Sequence, residues 1–221
     1  MSKAILDRYS VRAYLDKPVA KSVVESLLKT AQQSPSGGNL QPWKVYVTTG
    51  GDRAAFLAKV QESIKANPMG EPNSPDIYPP KLKDPYKQRR AQCGYDMYSA
   101  LGIPKDNKMA GIMQVMKNFD FFGAPVGIFF AIDKQMGRPQ WSHMGMYIQS
   151  LMLAAVELGL GTCPQEAWML RHQTVRDHFN IPEELEFYCG LALGYPDTKA
   201  PINNYRTQRA SLDEVVTFRG F

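Results

Sequence analysis

The longest apolar stretch of the chain, Trp141 to Leu158 (WSHMGMYIQSLMLAAVEL), is hydrophobic almost all the way round a helix. It is eighteen residues long and carries Ser142, His143, Gln149, Ser150 and Glu157, which predicts a buried core helix and not a membrane span. Upstream, Val19 to Gln33 repeats apolar residues at Val19, Val23, Val24, Leu27, Leu28 and Ala31, an amphipathic helix with one face for a core. Asp52 to Ala66 repeats the pattern with Phe56, Leu57, Val60 and Ile64 inward and Asp52 as N-cap. Ala4 to Tyr9 reads as a short helix, and Trp168 to Phe179 as a longer one. Strand signals are of two kinds. Lys44 to Thr49 (KVYVTT) alternates, as a half-buried strand does, whereas Pro125 to Asp133 (PVGIFFAID) and Phe187 to Gly194 (FYCGLALG) are continuous apolar runs of buried strands. Thr162 to Gln165, after glycines at 159 and 161, predicts a short edge strand.

Two regions break the periodicity. Residues 67–85 hold Pro68, Pro72, Pro75, Pro79, Pro80 and Pro85 and form a surface excursion too long for a plain connection. It leads through Tyr86 to Leu101 into a methionine-rich helical segment, Lys108 to Phe119. Residues 67–122 therefore read either as an inserted lid, with Tyr86, Tyr95, Tyr98, Met109, Met113 and Met116 as an adaptable apolar cover, or as satellite core. The tail, about residues 196–221, has little core of its own, and LDEVVTF alternates like an edge strand that docks on a second copy of the chain.

Length, 221 residues, fits one domain with a full core, residues 1–221. The net charge of +5 comes from scattered lysines and arginines, with only Lys87, Arg89 and Arg90 clustered; no basic stripe points to nucleic acid, and a small anionic ligand accounts for the balance equally well. Cys93, Cys163 and Cys189 form no CxxC, and neither they nor His143, His172 and His178 have metal-ligand spacing, so no disulfide framework and no metal site is expected. His143 reads as a core or interface residue. MSKAILDRYS lacks the apolar centre of a signal peptide, so a cytoplasmic protein with no membrane association is the expectation.

Candidate chemistry lies in three stretches. In Arg8-Tyr9-Ser10-Val11-Arg12, extended backbone puts Arg8, Ser10 and Arg12 on one face. Two guanidiniums flanking a hydroxyl cradle a phosphate or similar anion, although two solvated surface arginines give the same pattern. Ser34 to Trp43 (SPSGGNLQPW) joins the amphipathic helix to its strand. It offers two glycines that let backbone amides approach a flat ligand, beside Ser36, Asn39 and Gln41. An ordinary helix-to-strand turn is the plain alternative. The third stretch is Gly161 to Gln165.

RYSVR, SPSGGNLQPW, ELGLGTCPQ and RTQRASLDE follow one another in an order that resembles the FMN-dependent nitroreductase family, from about Asp7 to Val216. The resemblance implies an α+β fold, a three-layer α-β-α sandwich with a mixed central sheet, built as an intertwined homodimer with a swapped tail. It also implies FMN at the dimer interface and NAD(P)H as transient reductant. By motif, Arg8 and Ser10 hold the phosphate with Arg209 meeting it from the tail, Arg206 stands second to it, and Arg12 lies near the pyrimidine end of the flavin. Pro35, Ser36, Gly37 and Asn39 come from the partner subunit, and Pro164 and Gln165 line the opposite side of the ring. The chain has Gln165-Glu166-Ala167 where many relatives carry glutamate-glycine, and Thr207 where some carry lysine. The implied reaction is ping-pong reduction of a small aromatic acceptor, a nitroaromatic or quinone, by hydride transfer through flavin N5, with no catalytic side chain. Tyr86, Tyr95, Met113 and Phe119 are the substrate-side candidates. A reductive dehalogenase, an ene-reductase and a flavin-storage protein without turnover are the alternatives.

Overall fold

In the computed structural model, which describes residues 2–221, the organising strand is β2 (Val126–Asp133), buried along nearly its whole length. It pairs antiparallel with β1 (Trp43–Thr49) on one side and β4 (Leu185–Gly194) on the other. β3 (Gly161–Gln165) lies beyond β4 as the edge, giving the order β1-β2-β4-β3. All four strands are antiparallel. The mixed character expected of the sheet comes down to one parallel bridge, Ser10 with Thr162.

Both faces of β2 are apolar because both are covered. Val126, Ile128, Phe130 and Ile132 point to one core, shared with α2 (Lys21–Ala31) and α6 (Arg138–Glu157). Phe129 and Ala131 point to the other, shared with α3 (Gly50–Ala66) and α7 (His172–Phe179). That is the helix–sheet–helix layering expected. The continuous hydrophobic run of β2 is the sequence form of a strand with two buried faces.

A bulge in β4 redistributes its side chains. Phe130 pairs with Cys189 but Ala131 pairs with Phe187, so Tyr188 is the extra residue. Leu185 and Phe187 consequently belong to the α3/α7 core, whereas Cys189, Leu191 and Leu193, at the same parity, belong to the α2/α6 core. One inserted residue shifts a period-2 pattern to the opposite face.

Between α3 and β2 the chain runs through α4 (Tyr86–Ala100), α5 (Lys108–Met116) and a 3-10 segment, Lys117–Gly123. Neither helix buries an apolar side chain; in α5 only Gln114 is buried. Residues 67–85 are turns and bends, as the prolines require, yet Glu71 within them is buried.

Three local expectations are corrected. Thr49, not Asp52, occupies the N-cap of α3; Asp52 sits in the first turn, accepting from Thr48 Oγ1 at 2.6 Å. Trp168–Phe179 is not one helix, because a 3-10 segment, Glu166–Arg171, precedes α7. The alternating tail segment forms no edge strand; Leu212–Val215 is a single helical turn, α8, with Ser211 and Glu214 as a reciprocal capping box. Ser211 N and Oγ both lie 3.2 Å from Glu214 Oε1, and a satisfied N-terminus outweighs the alternation of LDEVVTF.

Candidate active site

After α1 (Ser2–Asp7) the chain extends, and Val11 N donates to Thr162 O at 2.9 Å on the free side of β3. Val11 is buried against Gly161, where any Cβ would overlap its side chain. Anchoring Val11 inward turns its neighbours the other way. Ser10, Arg8 and Arg12 gather around Cys163: burial pushes the Cys163 thiol up, opposed by the charge of Arg12, a hydrogen bond with Ser10 and the charge of Arg8. Within the trio, Arg12 Nη1 donates to Ser10 O at 3.4 Å.

The tail is stapled to this segment by a buried asparagine. Asn203 Oδ1 accepts from Arg12 N at 2.9 Å, and its Nδ2 donates to Ala13 O at 2.7 Å and Asp197 O at 2.8 Å. From there Arg206 stacks on Tyr9, 3.7 Å from the ring centre, and donates to Asn203 O at 2.7 Å. Arg209 donates to Thr207 Oγ1 at 2.6 Å and to the Thr207 and Gln208 carbonyls. Thr207 thus orients Arg209. Burial, then the like charge of Arg209, lowers the pKa of Arg8 below that of an ordinary arginine. Among the described residues none of Arg8, Arg12, Arg206 and Arg209 forms a salt bridge with a carboxylate. Guanidiniums from the two ends of the chain thus repel one another with, among the described residues, no carboxylate in salt-bridge contact, the electrostatic condition for an external anion.

The opposite wall comes from β3. Pro164 is exposed while Cys163 and Gln165 on either side are buried. The Gln165 side chain turns into the core: Nε2 donates to Asn118 O at 2.8 Å, and Oε1 accepts from Trp168 Nε1 at 3.2 Å. Gln165 supports the wall from behind, leaving Pro164 and the backbone at the surface. Arg12, Cys163, Pro164 and Gln165 line one end of a cavity of about 1300 Å³ whose far end reaches Tyr78, Pro80, Arg89 and Arg90. A second, more apolar chamber of about 990 Å³ adjoins it, sharing Met69, Tyr98, Val115 and Leu170. Tyr95 and Phe119 line this chamber, whereas Tyr86 and Met113 are exposed and line neither.

Ser34 to Trp43 lies elsewhere. Gly37–Asn39 is a 3-10 turn with Gly38, Asn39 and Gln41 all in the left-handed region, φ 58°, 54° and 48°. Gln41 N donates to Ser36 Oγ at 3.0 Å, Ser34 Oγ to Ser150 Oγ at 2.9 Å, and Gly37 N to His143 Nε2 at 3.4 Å. The loop is pinned to α6, and Pro35, Ser36, Gly37 and Asn39 line neither cavity. Within one chain, the arginine cradle and the glycine loop are separate.

Several residues that build the site had no sequence signal. Asn203 acts through contacts about 190 residues away along the chain, and Thr207 and Trp168 through side-chain bonds to Arg209 and Gln165 that hydrophobic periodicity does not record. His143 holds the loop, which refines its reading as a core or interface residue. Glu71 and Arg171 anchor the excursion: Glu71 accepts from Ser63 Oγ at 2.6 Å, Gln173 N at 2.7 Å and Thr174, while fully buried Arg171 donates to Asn67 O at 2.7 Å and Pro68 O at 3.3 Å. Among the described residues no group of His, Cys, Asp and Glu could hold a metal ion, and no helix is long and apolar enough to cross a membrane.

A model of the nitroreductase family matches residues 5–195. A nitrobenzene nitroreductase from Ectopseudomonas oleovorans is 34% identical over 214 residues, 97% of this chain and 94% of that protein. The FMN and NADPH-dependent nitroreductase NfnB from Sphigopyxis sp. strain HMH superposes with a TM-score of 0.95 at 41% identity, covering 100% of this chain and 99% of the other. The FMN-dependent nitroreductase NfnB from Mycobacterium smegmatis, solved with NADPH, superposes with a TM-score of 0.89 at 28% identity, covering 99% and 97%.

Proposed function

The chain belongs to the nitroreductase family, and from that premise we propose that it binds FMN between the arginine cradle and Pro164 and uses NAD(P)H to reduce nitroaromatic or quinone acceptors. The observation that carries this reading is that Arg8 feels the like charge of Arg209 from the tail while, among the described residues, neither forms a salt bridge with a carboxylate. A phosphate monoester, with about −1.5 to −2 charges at neutral pH, supplies what that arrangement lacks. Ser10 adds a hydroxyl, Arg206 closes the tail side, and Arg12 carries positive charge toward the pyrimidine end of the ring.

Bound flavin supplies reversible two-electron chemistry, accepting hydride from a nicotinamide and passing electrons to the acceptor. The chain's own residues bind and orient it. Arg8, Ser10 and Arg209 fix the phosphate, Pro164 offers an apolar surface to the ring, and Arg12 favours negative charge there. No side chain is required as acid or base.

The glycine loop lies away from this cradle, and the tail exposes Leu212, Val215, Phe218 and Phe221. Both features support a homodimer in which each site takes Pro35, Ser36, Gly37 and Asn39 from the partner, with the tail of one copy lying on the other. Residues 67–122 serve as the acceptor-side cover, with Tyr95 and Phe119 nearest the acceptor. The exposed free thiol of Cys93 accords with a reducing, cytoplasmic setting.

The test is the visible spectrum of purified protein, then anaerobic NADPH oxidation with nitrobenzene or a quinone. A yellow protein whose NADPH oxidation depends on the acceptor is expected. Yellow protein that never oxidises NADPH establishes a storage role, and colourless protein that ignores added FMN rejects the reading.

A further inference from the structure

Beside the flavin-side cavity lies a smaller one, about 630 Å³, between the proline-rich segment and α4. Lys81, Lys87 and Arg90 line it, and no carboxylate does. Lys87 and Arg90 are three apart on α4 and share its face, while Lys81 approaches from the opposite wall. Among the described residues none of the three is in a salt bridge; neighbouring Arg89 is already committed to Glu214 at 2.8 Å. The cavity shares Pro79, Pro80, Arg90, Gly94 and Tyr98 with the larger one, so the cationic cluster and Pro164 belong to one connected space. The guanidinium of Arg90 also lies 4.0 Å from the ring centre of Tyr78, placing an aromatic face beside the charge. The acidic residues of the larger cavity are Glu71, already held by Ser63 and Thr174, Asp76 and Glu166.

We propose that Lys81, Lys87 and Arg90 receive the 2′-phosphate of NADPH, so that the enzyme selects NADPH over NADH. The proposal rests on the oxidoreductase reading above. NADH carries a hydroxyl where NADPH carries a dianionic phosphate, and three unpaired cations distinguish the two by charge-assisted bonds that the hydroxyl cannot make. Tyr78 and Arg90 together offer a stacking surface for the adjoining purine. Because the cluster is exposed, its contribution falls with ionic strength.

The experiment is calorimetric titration of the holoprotein with adenosine 2′,5′-bisphosphate and, separately, with adenosine 5′-monophosphate, for the wild type and the Lys87→Gln/Arg90→Gln variant. The wild type is expected to bind the bisphosphate about 10- to 100-fold more tightly, equivalent to two or so exposed charge-assisted contacts. In the variant the two probes should come within about threefold of each other, with flavin content unchanged. In turnover, KM for NADPH should rise in the variant while KM for NADH stays within about twofold. Equal affinity of the wild type for both probes, or a bisphosphate affinity unaltered in the variant, overturns the proposal. If neither nicotinamide is oxidised at all, the oxidoreductase reading fails, and the two nucleotide titrations still decide whether the phosphate pocket exists.

Discussion

Glu71→Gln is the substitution whose consequences can be worked out furthest. The Glu71 carboxylate is buried inside the proline-rich excursion and accepts from Ser63 Oγ at 2.6 Å, Gln173 N at 2.7 Å, Thr174 N at 3.3 Å and Thr174 Oγ1. Gln173 and Thr174 open α7, so the carboxylate also meets the positive end of that helix. Glutamine retains one carbonyl oxygen but puts an NH2 group where donors converge, losing at least two charge-assisted bonds. Each contributes about 1.5–3 kcal/mol, and with local relaxation a loss of about 3 kcal/mol is expected. For a domain of this size that lowers Tm by about 6–12 °C. Burial raises the Glu71 pKa, but the hydrogen bonds from Ser63 and Thr174 and the two amides outweigh it, so the net shift is downward. A carboxyl with a depressed folded-state pKa contributes stability that is complete above the unfolded value, about 4.3, and is lost as pH falls through the folded value. The Tm gap between wild type and variant should thus hold constant from pH 8 to 5 and narrow below pH 4. Thermal melts across that range make the measurement. A gap under about 2 °C at pH 7, or one as large at pH 3.5 as at pH 7, refutes the reasoning.

Three further perturbations probe other links. Gly190→Ala would put a Cβ into the Trp168 ring and 3.1 Å from Phe129 Cε1, and both neighbours are fully buried. Overpacking of about 2–3 kcal/mol should lower Tm by about 4–12 °C, whereas Gly145→Ala, inside α6 with open space around it, should raise Tm by about 1–4 °C through the better helix propensity of alanine. Arg8→Ala and Arg209→Ala should each weaken FMN binding by about 10- to 100-fold, measured by fluorescence titration, and full flavin occupancy in both variants contradicts the phosphate assignment. In the proposed homodimer, deleting residues 210–221 should shift the association toward monomer in analytical ultracentrifugation and reduce flavin retention; a dimer unchanged by the deletion removes the tail from the interface.

The sheet and its helices were largely legible in the chain because secondary structure follows periodicity, and periodicity is local. The apolar run of β2 announced a strand covered on both faces, and the RYSVR alternation set Val11, buried against Gly161, apart from half-buried Ser10 and Arg12. The tail helix was also written in the sequence: Ser211 followed three residues later by Glu214 is a capping box, which the alternation of LDEVVTF obscured. The Asp52 cap failed for a related reason, since a helix start is fixed by where the preceding strand ends, and β1 ends at Thr49.

What the amino-acid order determined alone was most of the elements, the two-sided core and the pair of arginines flanking Ser10 near the N-terminus. Tertiary structure decided which distant groups complete it. Arg209 reaches Arg8 because Asn203 ties the tail to Ala13, 190 residues away in sequence. Glu71 finds Thr174 across 103 residues, and a single bulge at Tyr188 sends the two halves of β4 into different cores. Local patterns record only what a side chain needs, burial or solvent or a counter-charge. Which partner meets that need depends on the path of the whole chain.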